Sequence, residues 1–126
     1  RMARTYYKKV IDDLEGSKFG SAANKYQKLA KRMARRNDYE RASLMILLST
    51  LSCLKAGDDL DDIKSRMSKL LKSLGHARKI LEDTFGVNTA NCLIDAKKAS
   101  DPSLEYHLKE ILQKIPILDQ EKNLIS

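Results

Sequence analysis

The stretch YQKLAKRMARRNDYERAS, residues Tyr26 to Ser43, carries six Lys/Arg in eighteen positions. Tyr26, Leu29, Ala30, Met33, Tyr39 and Ala42 recur through it at helical spacing. Residues three and four apart are neighbours on a helix, so the apolar positions form one stripe and the cations face away from it. Asn37-Asp38 interrupts the stripe and reads as a tight turn, with Asp38 placed to cap a following helix. Two packed helices with a basic outer face account for the whole pattern.

The rest of the chain follows from this hairpin. Upstream, a first helix is expected from about Ala3 to Glu15, ended by Gly16, with Ser17 available as the next cap. The second runs from Phe19 to Arg36, with Phe19, Ala22, Tyr26, Leu29, Ala30 and Met33 on one arc. Lys25, Lys28, Lys31, Arg32, Arg35 and Arg36 lie on the opposite arc. The third, Tyr39 to Ala56, is apolar nearly all round between Leu44 and Leu54, which predicts a central position. Gly57 closes it as a left-handed cap and Asp58-Asp59 opens the next. In the fourth, Leu60 to Leu74, the residues Leu60, Ile63, Met67, Leu70, Leu71 and Leu74 make an amphipathic stripe. Gly75 bends or ends it, and a short piece to Phe85 follows before Gly86. A helix from Asn88 to Ser100 follows. Asp101-Pro102 is a start signal for one that reaches Ile115 and is broken by Pro116. Residues 117–125 have room for two further turns.

The fold class expected is all-α, in one domain spanning residues 1–126. About six to seven helices form antiparallel hairpins joined by short connections. They stack as a short α-solenoid or right-handed helical array. An ordinary bundle is the simpler alternative. With 42% hydrophobic and 33% charged residues, two prolines and five glycines, a folded chain poor in strand and turn signals is anticipated.

The hairpin resembles one tetratricopeptide-type repeat across about residues 23–54. The matching residues are Tyr26-x-x-Leu29-Ala30-x-x-Met33, then Asp38-Tyr39, then Ala42-x-x-x-Ile46. Ala30 and Ala42 suit a close helix crossing, Tyr26, Leu29 and Met33 fill the space between the helices, and Tyr39 packs at the turn. The sequence departs from the family at Tyr26, where Trp is favoured, at Ala30 in place of Gly, and at Leu54, where Pro is usual. Phe19-x-x-Ala22-x-x-x-Tyr26 is a weaker echo of a second half-repeat, and no second full copy follows Gly57. The chain is thus similar to divergent tetratricopeptide arrays and to the soluble NSF attachment protein type of solenoid. That resemblance implies a non-enzymatic adaptor or scaffold whose concave surface holds a peptide or helix of a protein partner.

Charge supplies the rival reading. Residues 1–42 hold 12 Lys/Arg against 5 Asp/Glu, while residues 43–126 hold 12 of each, so the net +7 resides in the first third. Such asymmetry suits an anionic partner, either nucleic acid or an anionic membrane, engaged weakly and without sequence preference through the face formed by Lys25, Lys28, Lys31, Arg32, Arg35 and Arg36. A merely solvated basic face explains it equally. The cations lack interleaved aromatic platforms, and no helix-turn-helix or RNA-binding signature is present.

Catalytic, metal and cofactor signatures are not found. His76 and His107 lie outside any metal or triad motif and read as surface or cap residues. Asp58-Asp59-Leu60-Asp61-Asp62 departs from a calcium loop at Ile63 and Lys69, and suits a helix start instead. Lys97-Lys98 is too small a pair to define an anion site. Cys53 and Cys92, without a Cys-x-x-Cys partner, are expected as buried free thiols in a reducing, cytoplasmic setting, although spacing alone leaves a disulfide open. The longest apolar segment, Leu44 to Leu54, is about half the length of a membrane helix. Tyr6, Tyr7, Tyr39 and Tyr106 are candidate partner contacts, Tyr39 more as a structural residue. The apolar run Ile115, Ile117, Leu118, Leu124 and Ile125 is expected to pack on its own core, to fold back as a cap, or to join a second copy. Arg1 before Met2 is expected of a vector remnant or of a piece of a longer chain.

Overall fold

The computed structural model describes residues 2–126, with side chains from residue 5 onward. Among these residues there are eight helices and no strand: α1 (Met2–Glu15), α2 (Phe19–Arg35), α3 (Tyr39–Ala56), α4 (Leu60–Ser73), α5 (Ala77–Glu82), α6 (Phe85–Lys98), α7 (Leu104–Lys114) and α8 (Asp119–Ile125). The expectation attached to Arg1 lies outside the described residues.

One device ends four of the helices. At the ends of α1, α2, α3 and α6 a residue with positive φ follows the helix: Ser17, Asn37, Gly57 and Ser100. Its amide donates to the carbonyl three residues back, and the next amide donates to the carbonyl five residues back, as in Asn37 N to Ala34 O and Asp38 N to Met33 O. Both bonds recruit carbonyls that a helix end otherwise leaves unpaired. Ser17 is therefore the left-handed residue closing α1, not the cap of α2; Lys18 holds the cap position without a side-chain bond. Asp38 and Asp59 do cap, accepting from Arg41 N and Asp62 N.

Helix α3 is the hub, in contact with α2, α4, α5, α6 and α8. It buries Ala42 and Ser43 and every residue from Met45 to Cys53. Each fully buried large aliphatic residue contributes about 1.5–3 kcal/mol, and Ile46, Leu47 and Leu48 all qualify. Its hydroxyls are compatible with burial because each finds an acceptor. Thr50 and Ser52 donate to the carbonyls of Ile46 and Leu48, and Ser49 donates across to Ala23 O of α2 at 3.0 Å.

Two elements depart from expectation. Gly86 lies in the first turn of α6, which begins at Phe85 rather than Asn88. A Cβ at Gly86 would lie 2.2 Å from both the carbonyl oxygen and the hydroxyl of Ser43, so glycine is what lets α6 cross α3 this closely. Asp101 does not cap α7 directly. Its carboxylate accepts from Ser103 N and Oγ within the preceding turn, and α7 starts two residues after Pro102.

The cysteines separate in environment. Cys53 is buried on α3 and its thiol is pushed up to about 11 by burial, whereas Cys92 on α6 is exposed rather than buried, and both are free thiols. Under native conditions a disulfide-exchange reagent should modify one thiol, Cys92, quickly, with Cys53 reacting only on unfolding. Two fast thiols would show that α3 is not held in the core.

Candidate functional site

The turn end of the α2–α3 hairpin sits between α1 on one side and the start of α6 on the other. Their separation leaves a groove of about 1230 Å³. Met33, Leu44 and Met45 line it from the hairpin, Tyr7, Lys8 and Ile11 from α1, and Phe85 and Gly86 from α6 with Thr84 just before it. Ser43 Oγ donates to Thr84 Oγ1 at 2.6 Å, which in turn donates to Leu81 O, so the α6 wall is tied to the hairpin beside the glycine contact. The remaining wall is the strap Ile115–Leu118 between α7 and α8. Phe85 and Leu118 are 60% and 54% exposed, and both border this groove, where they form one apolar patch with its lining. Lys8 and Arg41 are exposed cations on its lining, with Glu40 the exposed acid.

The strap is placed by a buried polar bridge that ties α8 to α1 and α2. Glu121 is fully buried. Its Oε2 accepts from Tyr7 at 2.6 Å and from Tyr26 at 2.5 Å, and its Oε1 accepts from Leu118 N at 3.1 Å. The last bond is half of a capping box at the start of α8. The two tyrosine rings meet edge to face, with centroids 6.5 Å apart. Burial first, and then the nearby Glu121 carboxylate, raise both hydroxyls well above the usual tyrosine range, so both stay protonated as donors. Glu121 escaped the sequence reading. The signal was present: it lies four residues from both Ile117 and Ile125, on the apolar side of the last turns.

The repeat-packing residues divide. Tyr26, Leu29, Ala30, Ala42 and Ile46 are buried, whereas Met33 and Tyr39 are only partly so. Met33 lines the groove instead of lying sealed between the helices, and Tyr39 donates to Asn37 Oδ1 at the turn. Tyr7 is not a free contact residue, being committed to Glu121, while Tyr106 is 65% exposed on α7.

The basic arc is less free than its sequence implies. Lys25 pairs with Asp13 of α1 at 2.5 Å, and the Arg32 guanidinium lies over the Tyr6 ring, 5.2 Å from its centroid. Lys28, Arg35 and Arg36 are exposed and Lys31 is partly covered. In the acidic run of residues 58–62 Asp58 pairs with Arg66, Asp59 caps α4 and Asp61 pairs with Lys98 across to α6. Among the described residues no group of three or more His, Cys, Asp or Glu is placed to hold a metal ion, and His76 and His107 are both exposed. The C-terminal apolar run packs on the chain's own core, with Ile115 and Ile125 buried, Ile117 and Leu124 partly buried and Leu118 open. No helix among the described residues is long and apolar enough to cross a membrane. Comparison with protein-family models, with curated proteins and with solved structures finds no match to this chain.

Proposed function

We propose that the chain is a non-enzymatic interaction module whose groove holds an amphipathic helix of a protein partner. The groove itself carries this reading. A helix about 10 Å across fills 1230 Å³ over about three turns, and Phe85 and Leu118 stand ready to be covered. The helix would lay its apolar stripe between them, the helix-in-groove mode of recognition. Charge specifies the partner further. The lining residues Tyr7, Lys8, Ile11, Met33, Glu40 and Arg41 belong to residues 1–42, the segment that carries the whole +7 excess, and Lys8 and Arg41 are exposed on it. A partner helix with Asp or Glu flanking its apolar stripe complements them. The likeness of residues 23–54 to a tetratricopeptide repeat supports the same role, and a cytoplasmic location suits it. Because the C-terminal apolar run is largely consumed within the core, a different chain fits better than a second copy.

Selection from a displayed library of helical peptides tests the reading. Peptides with apolar residues at i, i+3, i+4 and i+7 and flanking acids are expected. Phe85→Asp with Leu118→Asp, at two exposed positions, should weaken them by about tenfold or more, equivalent to about 1.4 kcal/mol. Reversing Lys28, Arg32 and Arg35 to Glu should leave them bound. Nucleic acid or anionic vesicles should bind only at low salt and be released near 0.15 M, because screening removes diffuse attraction. Tight binding of either at that ionic strength, lost in the triple variant, would overturn the groove reading in favour of the basic face.

A further inference from the structure

We propose that the strap and α8 form a hinged wall of the groove, detaching from the body as one unit while the rest stays folded. The observations behind this concern attachment and do not depend on what fills the groove.

The segment is built to move as a piece. Ile115 and Leu118, at ψ 145° and 143°, are extended residues on either side of Pro116 and Ile117. Among the described residues the backbone bonds of the strap are local: Ile115 N to Ile111 O, Ile117 N to Ile115 O and Lys122 N to Leu118 O reach only α7, the strap itself and α8. Helix α8 has seven residues, of which Glu121 and Ile125 alone are fully buried, and α1 and α3 are its main neighbours. Peripheral contacts, Gln120 to Glu15 and Lys55 Nζ to Ser126 O, are exposed. Such an element, small and held by Ile115 and Ile125, the partly buried Ile117 and Leu124 and one polar bridge, belongs at the low-stability end of a fold.

Glu121 makes its docking all-or-none. The carboxylate is buried against neutral donors, two tyrosine hydroxyls and one amide, and among the described side chains no cation forms an ion pair with it. Those hydrogen bonds offset its desolvation only while they are held together, and a carboxylate that loses them is better placed in water. Partial separation therefore favours complete release, which gives two discrete positions of the wall. An occupant touching Leu118 or Ile117 binds the docked position better and so shifts the balance toward it.

Native-state hydrogen exchange read by mass spectrometry tests the hinge without any ligand. Amides of α8 should open about a hundredfold or more as often as those of α3, with little urea dependence. Glu121→Gln should raise exchange in α8 by about tenfold while α2 and α3 stay within about twofold. Should that variant express poorly, Tyr7→Phe removes one donor from a partly exposed site and should move α8 in the same direction. The chain lacks tryptophan, so Leu118→Trp adds a single reporter on the wall, and its urea transition should precede loss of helical circular dichroism. Equal protection of α8 and α3, a Glu121→Gln effect spread evenly over α2 and α3, or coincident transitions would overturn the hinge. None of these outcomes bears on whether the groove binds a helix.

Discussion

Replacing Gly86 by alanine is expected to destabilise the protein by about 1–3 kcal/mol, and by valine more, through overpacking. The added Cβ would lie 2.2 Å from Ser43 O and Oγ and 2.5 Å from Ser43 C. Two of those three atoms are backbone in the middle of a helical contact and cannot rotate away, so α6 has to move outward by more than an ångström. That shift loosens Val87, Ala90 and Ile94, all essentially fully buried, and breaks the 2.6 Å bond between Ser43 and Thr84. The same substitution at Gly20 should have the opposite sign. Nothing lies within 4 Å of a Cβ there, and the position is helical, so alanine should gain up to about 1 kcal/mol by restricting the unfolded chain. Urea melts of the two variants against the parent check both signs together. A Gly86→Ala protein as stable as the parent would mean that α3 and α6 do not meet at Ser43.

The contrast between those glycines shows how far the sequence was legible. Gly57 read correctly as a left-handed cap, because a helix end and an acidic restart flank it, and its φ is 77°. At Gly86 the role is set instead by a residue 43 positions earlier in the chain, which no local pattern reports. The α2–α3 hairpin, the capping by Asp38 and Asp59 and the centrality of α3 were visible for the same reason as Gly57: they follow from short-range periodicity and cap chemistry. Ser17 was misjudged because a serine between helices serves either as a start or, less often, as a left-handed stop. Cys92 was misjudged because it sits among apolar residues, although its own position on α6 points outward. The groove was hidden altogether, since its lining comes from five separate stretches. Glu121 lay between these extremes. Its place on an apolar helical face was readable, but a single carboxylate there is distinguishable from a surface residue only once Tyr7 and Tyr26 are known to meet it.

The largest single effect on the hairpin should come from Ala42→Trp. Ser49 Oγ bonds to Ala23 O across α2 and α3, and in an antiparallel pair this register brings Tyr26 level with Ile46 and Ala30 level with Ala42. Both alanines are fully buried, at 0% exposure, so at this level neither helix carries more than a methyl group. An indole at residue 42 has no volume to enter, and the cost should reach or exceed the ~1–3 kcal/mol usual for overpacking, whereas Ala42→Ser, which adds one small atom, should cost less. The consequence for binding should exceed the consequence for stability. Met33 and Met45, on the groove lining, lie within one turn of this crossing on their own helices. Prying the hairpin apart there displaces the groove's floor while α4 to α6 still hold α3. At a temperature where Ala42→Trp remains helical by circular dichroism, helical peptides selected on the parent should bind at least about tenfold more weakly. Parent-like urea stability would show that residue 42 has free space and that the register is wrong. Lost stability with unchanged peptide affinity would instead place the binding surface away from the hairpin's turn end.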